Sequence, residues 1–267
     1  MGWGDEIMVT GEARRLQATD PRPVRVLDRR GDARWHPLWE GNDRFAEMGV
    51  ADAQVIVNGP GARPYVDYTR TMPDRWAYTG WQATPGELPA IPCAGIRVGA
   101  LPFVVIEPAI KSSASPNKQW GAGRWQALVD ILRRRHPDLI FVHLGPVPVP
   151  GFDGLVHVPT EDVFAACAVL AAARAAILPE GGLHHAAAAL GVPAVVLFGG
   201  MTSPRNTGYG ALPGSACHIN LAVDDAEALG WRVPHPACAA AWDRITPALV
   251  ADTFAELLFS PRDRVAA

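Results

Sequence analysis

Residues 178–200 constrain the fold more than any other stretch. Leu178-Pro179-Glu180-Gly181-Gly182-Leu183-His184-His185 leads into four alanines, then Leu190-Gly191-Val192-Pro193, then Ala194-Val195-Val196-Leu197-Phe198-Gly199-Gly200. The order reads as a strand end, a Gly loop, a short helix, a Gly-Pro turn, a buried strand and a second Gly loop. Alanine is the strongest helix former. Gly191 and Pro193 are stop signals. The apolar run Ala194 to Phe198 suits a parallel strand covered on both faces. Both Gly loops then open at the carboxyl edge of one sheet, where α/β proteins bind ligands. A helix starting at Gly182 turns free N–H groups and a positive dipole end toward that edge, which suits a phosphate. His184 and His185 lie in its first turn, so at least one can face the same anion. A plain packing unit with two surface histidines fits these residues equally well.

The flanking chain repeats the pattern. Strands are expected at 103–106, 139–142, 156–158 and 176–178, with helices at 124–135, 161–173 and 246–258. Thr246-Pro247 is an N-cap and first-turn pair. After Gly200 the sequence reads as irregular until that last helix. Regular alternation predicts a parallel sheet with helices on both faces. The first hundred residues are less regular. Gly2-Trp3-Gly4-Asp5 reads as a turn feeding a helix, with an N-cap for a helix beginning at Glu6 as the plain alternative role of Asp5. It departs from the dinucleotide fingerprint, whose third glycine is Ile7 here. Val24–Leu27 and Val55–Val57 are short strands. Trp76, Tyr78 and Trp81 suit either a small core or a sugar-stacking surface. The expected fold is therefore α/β, with two Rossmann-type lobes and a reduced first lobe. The division falls at 1–98 and 99–267.

Composition excludes several classes. A net charge of −3 argues against a dedicated polyanion binder. No run approaches the roughly 18 uninterrupted apolar residues of a membrane helix, and no secretory signal opens the chain. Cys93, Cys167, Cys217 and Cys238 show no zinc spacing, so a reduced, cytoplasmic protein is expected. Cys217 and Cys238 flank one loop and are the pair to check for a disulfide. Eight arginines between Arg14 and Arg44 suit a solvated face or an anionic partner.

The stretch 107–123 is long for a strand-to-helix connection, which marks it as functional. It also holds both lysines of the chain, Lys111 and Lys118, against 22 arginines. A lysine kept where arginine is otherwise used suits a compact point charge.

Here the residues carry a resemblance. Asn117-Lys118-Gln119-Trp120, with Arg124-Trp125 and the following helix, resembles the Lys-x-Trp segment of glycosyltransferase family 9, the lipopolysaccharide heptosyltransferases. Residues 178–200 resemble that family's Asp-Ser/Thr-Gly-x-x-His segment. Glu180 stands at the Asp position and Gly181 at the Ser/Thr position; Gly182 and His185 match. Gly2-x-Gly4-Asp5 matches the family's first loop, and Cys238 with the final helix resembles its C-terminal pattern. A first strand is missing here and the N-terminal lobe is short.

The resemblance implies a GT-B fold and a sugar donor of the ADP-heptose kind. It implies that Lys118 binds the donor diphosphate and that Asp5 is the catalytic base. Glu180, Gly181, Gly182, Leu183, His185, Gly199, Gly200 and Thr202 become donor-binding candidates. The chemistry can be argued directly as well. A leaving diphosphate can be stabilised by Lys118 and the helix N-terminus without a metal. No Asp-x-Asp pair occurs, which disfavours a metal-dependent route. A carboxylate such as Asp5 can take the proton of an acceptor hydroxyl. The expected reaction moves a sugar from a nucleotide-diphosphate donor to a glycan hydroxyl, with no cofactor and no bound metal. Two alternatives remain: a noncatalytic nucleotide-sugar or carbohydrate binder, and transfer to a nucleic-acid base by way of the arginines and aromatics of the first lobe.

Overall fold

The computed structural model describes residues 2–46, 49–89, 96–111, 113–210, 217–222 and 226–258. Helix α1 (Trp3–Gln17) opens the chain, followed by β1 (Val24–Leu27), β2 (Ala33–Arg34) and β3 (Gln54–Val57). These strands form a small sheet in the order β2-β1-β3, with β1 and β3 parallel. Next come β4 (Phe103–Ile106), α2 (Ala122–Arg135), β5 (Ile140–Gly145), β6 (Val156–Pro159), α3 (Val163–Ala171), β7 (Ala175–Pro179), α4 (Gly182–Leu190) and β8 (Ala194–Phe198). The chain continues through α5 (Pro204–Thr207), β9 (His218–Ala222), α6 (Pro236–Arg244) and α7 (Pro247–Leu258).

Strands β4 to β9 form a six-stranded parallel sheet in the order β6-β5-β4-β7-β8-β9. The chain builds outward from β4 in one direction, then returns and builds outward from β7 in the other. The topological switch point, where such sheets bind ligands, therefore lies between the carboxyl ends of β4 and β7.

Two cores cover the large sheet. One face carries Trp120, Trp125, Leu128, Trp242 and Phe254, brought by the 107–121 loop, α2, α6 and α7. The other carries Phe103, Val105, Leu144 and Leu178 against α3, α4 and α1, and continues without a break into Val24, Val26, Trp39 and Ile56 around the small sheet. Helix α1 is thus buried on nearly every side, from Ile7 to Ala13. Its two interior carboxylates are matched: Glu6 pairs with Arg34 at 2.8 Å and Glu12 with Arg15 at 2.6 Å.

Several expectations change. Helix α1 starts at Trp3 with Gly2 as its cap, so Asp5 lies inside the first turn and is not the cap residue. The region after Gly200 is not irregular: it adds β9 and α6. Their signals are weak because β9 is short and α6 alternates Ala with Pro, Cys and Trp. Helix α3 is shorter than the expected 161–173, since Asp162 caps it by accepting from the Ala165 N–H at 2.8 Å. Trp76, Tyr78 and Trp81 pack against Met8, Tyr65 and Val66, which is a core role. Cys167, Cys217 and Cys238 are free thiols, and Cys93 lies outside the described residues. Among the described residues no helix is long and apolar enough to cross a membrane.

Candidate functional site

A cavity of about 430 Å³ opens at the switch point. Its walls come from the first turn of α1, the segment after β4, the segment after β7 and the first turn of α4. Asp5, Lys118, Glu180, Gly181, Gly182, Leu183 and His185 all line it, together with Lys111. Positions far apart in sequence thus meet in one cleft. Gly199, Gly200 and Thr202 lie elsewhere. Side chains at 199 and 200 would run into Trp242 and the Ala228 carbonyl, so these glycines allow α6 and its preceding turn to pack close. The Thr202 hydroxyl is buried against that of Thr207, 2.7 Å away.

Two helices aim their N-termini at this cavity. Helices α1 and α4 pack side by side and begin at the same level, so the dipoles and first-turn N–H groups of both face the same space. Only glycine allows the approach: a Cβ at Gly4 would sit 2.6 Å from His185 Cδ2 and 3.3 Å from Gly182 Cα.

The lysine loop is pinned by one side chain. Asn117 Nδ2 donates to the carbonyls of Trp231 (2.8 Å) and Val233 (2.7 Å), and Asn117 Oδ1 accepts from the His235 N–H at 3.2 Å. Trp120 Nε1 donates to the Ile245 carbonyl at 2.8 Å. Lys118 sits between these anchors and forms an ion pair with Glu180. Both are largely shielded, their side chains 19% and 7% exposed.

Asp5 is held by three donors. Its Oδ1 accepts from the Tyr65 hydroxyl at 2.7 Å and from Arg63 Nε at 3.0 Å, while Oδ2 accepts only the longer Gly2 N–H contact of 3.3 Å. Oδ2 is therefore the oxygen with capacity for a ligand.

The two histidines differ. His184 Nδ1 lies 3.0 Å from the Gly181 amide nitrogen and 2.9 Å from the Gly181 carbonyl oxygen, and Nε2 lies 2.8 Å from the Thr207 carbonyl oxygen. His184 is thus turned into the backbone and does not face an anion. His185 reaches the cavity, with Nδ1 2.7 Å from the Tyr209 hydroxyl. Burial, then the neighbouring His184 and Lys118, push its imidazole well below the usual range, so it meets a ligand uncharged. Glu180, His184 and His185 place ligating atoms within 4.8 Å of one another. With both His184 nitrogens committed, two ligands remain, fewer than the three or four protein groups of a built zinc-type site.

A group that the sequence reading missed stands across from these. Glu107 follows β4, is buried and lines the cavity. Arg63 and Tyr65 were missed too. A carboxylate directly ending an apolar strand was the available signal for Glu107; nothing local marks the other two.

Four of the eight arginines from Arg14 to Arg44 form ion pairs. Arg15, Arg22, Arg34 and Arg44 bridge to Glu12, Asp20 with Asp52, Glu6 and Glu87.

A scan against family models and a search of the curated proteins return no match. Solved structures do match. The glycosyl transferase family 9 protein of Veillonella parvula superposes over 97% of this chain and 95% of its own, at a TM-score of 0.60 and 14% identity. The chain has the fold of a family 9 glycosyltransferase. E. coli ADP-heptose lps heptosyltransferase II matches at 21% identity and a TM-score of 0.45, over 60% of this chain and 47% of that one. E. coli heptosyltransferase WaaC with ADP matches at 18% and 0.45, over 61% and 46%. The chain spans about half the length of these two heptosyltransferases. Within the family 9 fold, the cavity occupies the ligand edge of the large sheet, with the N-terminus of α1 beside that of α4 in its wall.

Proposed function

We propose that the cleft binds a nucleotide-diphosphate sugar and transfers its sugar to a hydroxyl of a second substrate, without a metal. The observation that carries this reading is the convergence of two helix N-termini, Lys118 and Asp5 on one cavity at the switch point. The diphosphate lies against the first turns of α1 and α4, with Lys118 supplying positive charge as the leaving group departs. Glu180 hydrogen-bonds donor hydroxyls, and Gly181, Gly182, Leu183 and His185 shape the pocket. The acceptor oxygen attacks the anomeric carbon, the bond from that carbon to the diphosphate breaks, and Asp5 Oδ2 takes the proton. The proposal keeps residues 1–98 on the acceptor side and 99–267 on the donor side. The donor is of the ADP-heptose type and the acceptor a glycan, on the sequence resemblance at 117–125 and 178–200. A cytoplasmic setting agrees with the free thiols.

A noncatalytic nucleotide-sugar binder is the second reading. It is favoured by the ion pairs that tie Asp5 to Arg63 and Lys118 to Glu180. The nucleic-acid alternative has fewer cations to draw on where Arg15, Arg22, Arg34 and Arg44 are paired.

Thermal shift across nucleotide-diphosphate sugars tests the shared part of both readings. Nucleotide sugars, ADP-linked ones above all, are expected to raise Tm, while free sugars are not. No stabilisation by any nucleotide sugar would contradict both.

A further inference from the structure

Glu107 has no role in the reaction drawn above, yet it lines the same cavity. It stands at the carboxyl end of β4, one side of the switch point, as Glu180 stands at the end of β7 on the other. Two-residue alternation puts its side chain on the same face as Phe103 and Val105, the face that also carries Leu144 and Leu178. An apolar collar therefore flanks the carboxyl, broken by the backbone N–H of Leu144, which donates to it, and only 8% of the residue is exposed. Its Oε1 accepts from the Ala109 N–H at 3.1 Å. A carboxyl in such a collar, opening on a cavity built for an anion, is poorly placed to carry a second negative charge beside that anion.

We propose that Glu107 is a proton-linked ligand-binding residue: a nucleotide-diphosphate sugar enters the cleft together with a proton taken up by the Glu107 carboxyl, whose O–H then donates to a ligand oxygen. The proposal rests on the donor reading above and adds a residue and a proton to it. Burial pushes this carboxyl up to about 7, against an ordinary 4.5, so the group is divided between its two forms near neutrality. The bound diphosphate shifts it to the neutral acid. Other charged or titratable groups facing the cavity are Asp5, Tyr65, Lys111, Lys118, Glu180 and His185. Burial holds the Tyr65 hydroxyl well above its usual range and the His185 imidazole well below, so neither titrates here. His143 of the adjacent β5 alternates to the opposite face.

The test is calorimetric binding of ADP-glucose, whose doubly esterified diphosphate lacks the phosphate titration near pH 6 of a terminal monoester. Titrations run from pH 6 to 8.5 in buffers of different ionisation heat. The wild type is expected to take up about half a proton per ligand at pH 7 and to lose affinity by up to about tenfold per pH unit above it. Glu107→Gln, uncharged and still a donor, should vary less than about twofold over the same range, and Glu107→Ala should be as flat but weaker at every pH. Binding with a wild-type slope in Glu107→Gln overturns the proton linkage while leaving the donor reading intact. Equal affinities for the Gln and Ala variants overturn the O–H contact. No binding by any of the three at any pH overturns the donor reading, and this proposal with it.

Discussion

Gly4 on α1 and His185 on α4 touch so closely that a Cβ on residue 4 would lie 2.6 Å from the imidazole Cδ2. His185 cannot easily give way, because its Nδ1 is held by the Tyr209 hydroxyl at 2.7 Å and its ring centroid lies only 3.9 Å from that of the tilted His184 ring. The contact sets the spacing of the two helix N-termini that frame the cleft. Gly4→Ala should therefore force α1 and α4 apart, at a cost of about 1–3 kcal/mol for overpacking a buried contact. Thermal unfolding with and without nucleotide sugar checks it. A lower Tm together with a smaller ligand-induced rise is expected; an unchanged Tm would show that the contact is slack.

Lys118 and Glu180 neutralise one another while no anion is bound. A diphosphate must compete with Glu180 for the ammonium. Lys118→Ala removes a charge-assisted contact worth about 1.5–3 kcal/mol to the ligand. It also strands a buried carboxylate, so stability should fall as well. Lys118→Ala with Glu180→Gln should regain the stability but not the affinity. Lys111→Ala should matter less for both. Denaturant unfolding and nucleotide-sugar titration of the four proteins decide this. Equal, small losses for both lysines would mean that the loop is merely solvated.

Much of the large sheet could be read from sequence because its strands are continuous apolar runs bounded by Gly and Pro. Residues 194–198 and 103–106 are buried throughout, as such runs require. Residues 178–185 announced their loop because glycine, helix formers and polar residues change over within eight positions. The rest was hidden for definite reasons. Asp5 read as a cap since Asp favours that position, but burial of α1 from its first turn drew the helix back to Trp3. Gly199 and Gly200 resembled a ligand loop, yet glycine serves close packing against Trp242 and Ala228 equally well. Arg63 and Tyr65 reach Asp5 across nearly sixty residues, a distance that no local pattern spans. Glu107 was visible as a residue but not as a site, because its importance comes from the fold around it.

Glu107 also makes a stability prediction that needs no ligand. Its folded pKa of about 7 lies above the ordinary 4.5. The raised value means that stability from this group is full below about pH 4.5 and is lost as pH rises toward 7. The loss amounts to about 3 kcal/mol for a shift of that size. Glu107→Gln has no such loss. The difference in unfolding free energy between variant and wild type, measured from pH 5 to 8, should move in favour of the variant by up to that amount. Parallel curves would place the carboxyl in solvent.

In the proposed reaction the cleft performs sugar transfer with Asp5 as base. The most direct measurement is release of nucleoside diphosphate from a bound nucleotide sugar, with water or a sugar alcohol as acceptor, by wild type and by Asp5→Asn. The substitution preserves shape and its one carbonyl oxygen can still accept from Tyr65 and Arg63, but the amide nitrogen that replaces Oδ2 can neither accept from the Gly2 N–H nor take a proton. Turnover should fall by about 10²–10⁴-fold with donor affinity nearly unchanged. Turnover close to wild type in Asp5→Asn would remove Asp5 as the base, and donor binding without release by the wild type would contradict transfer itself.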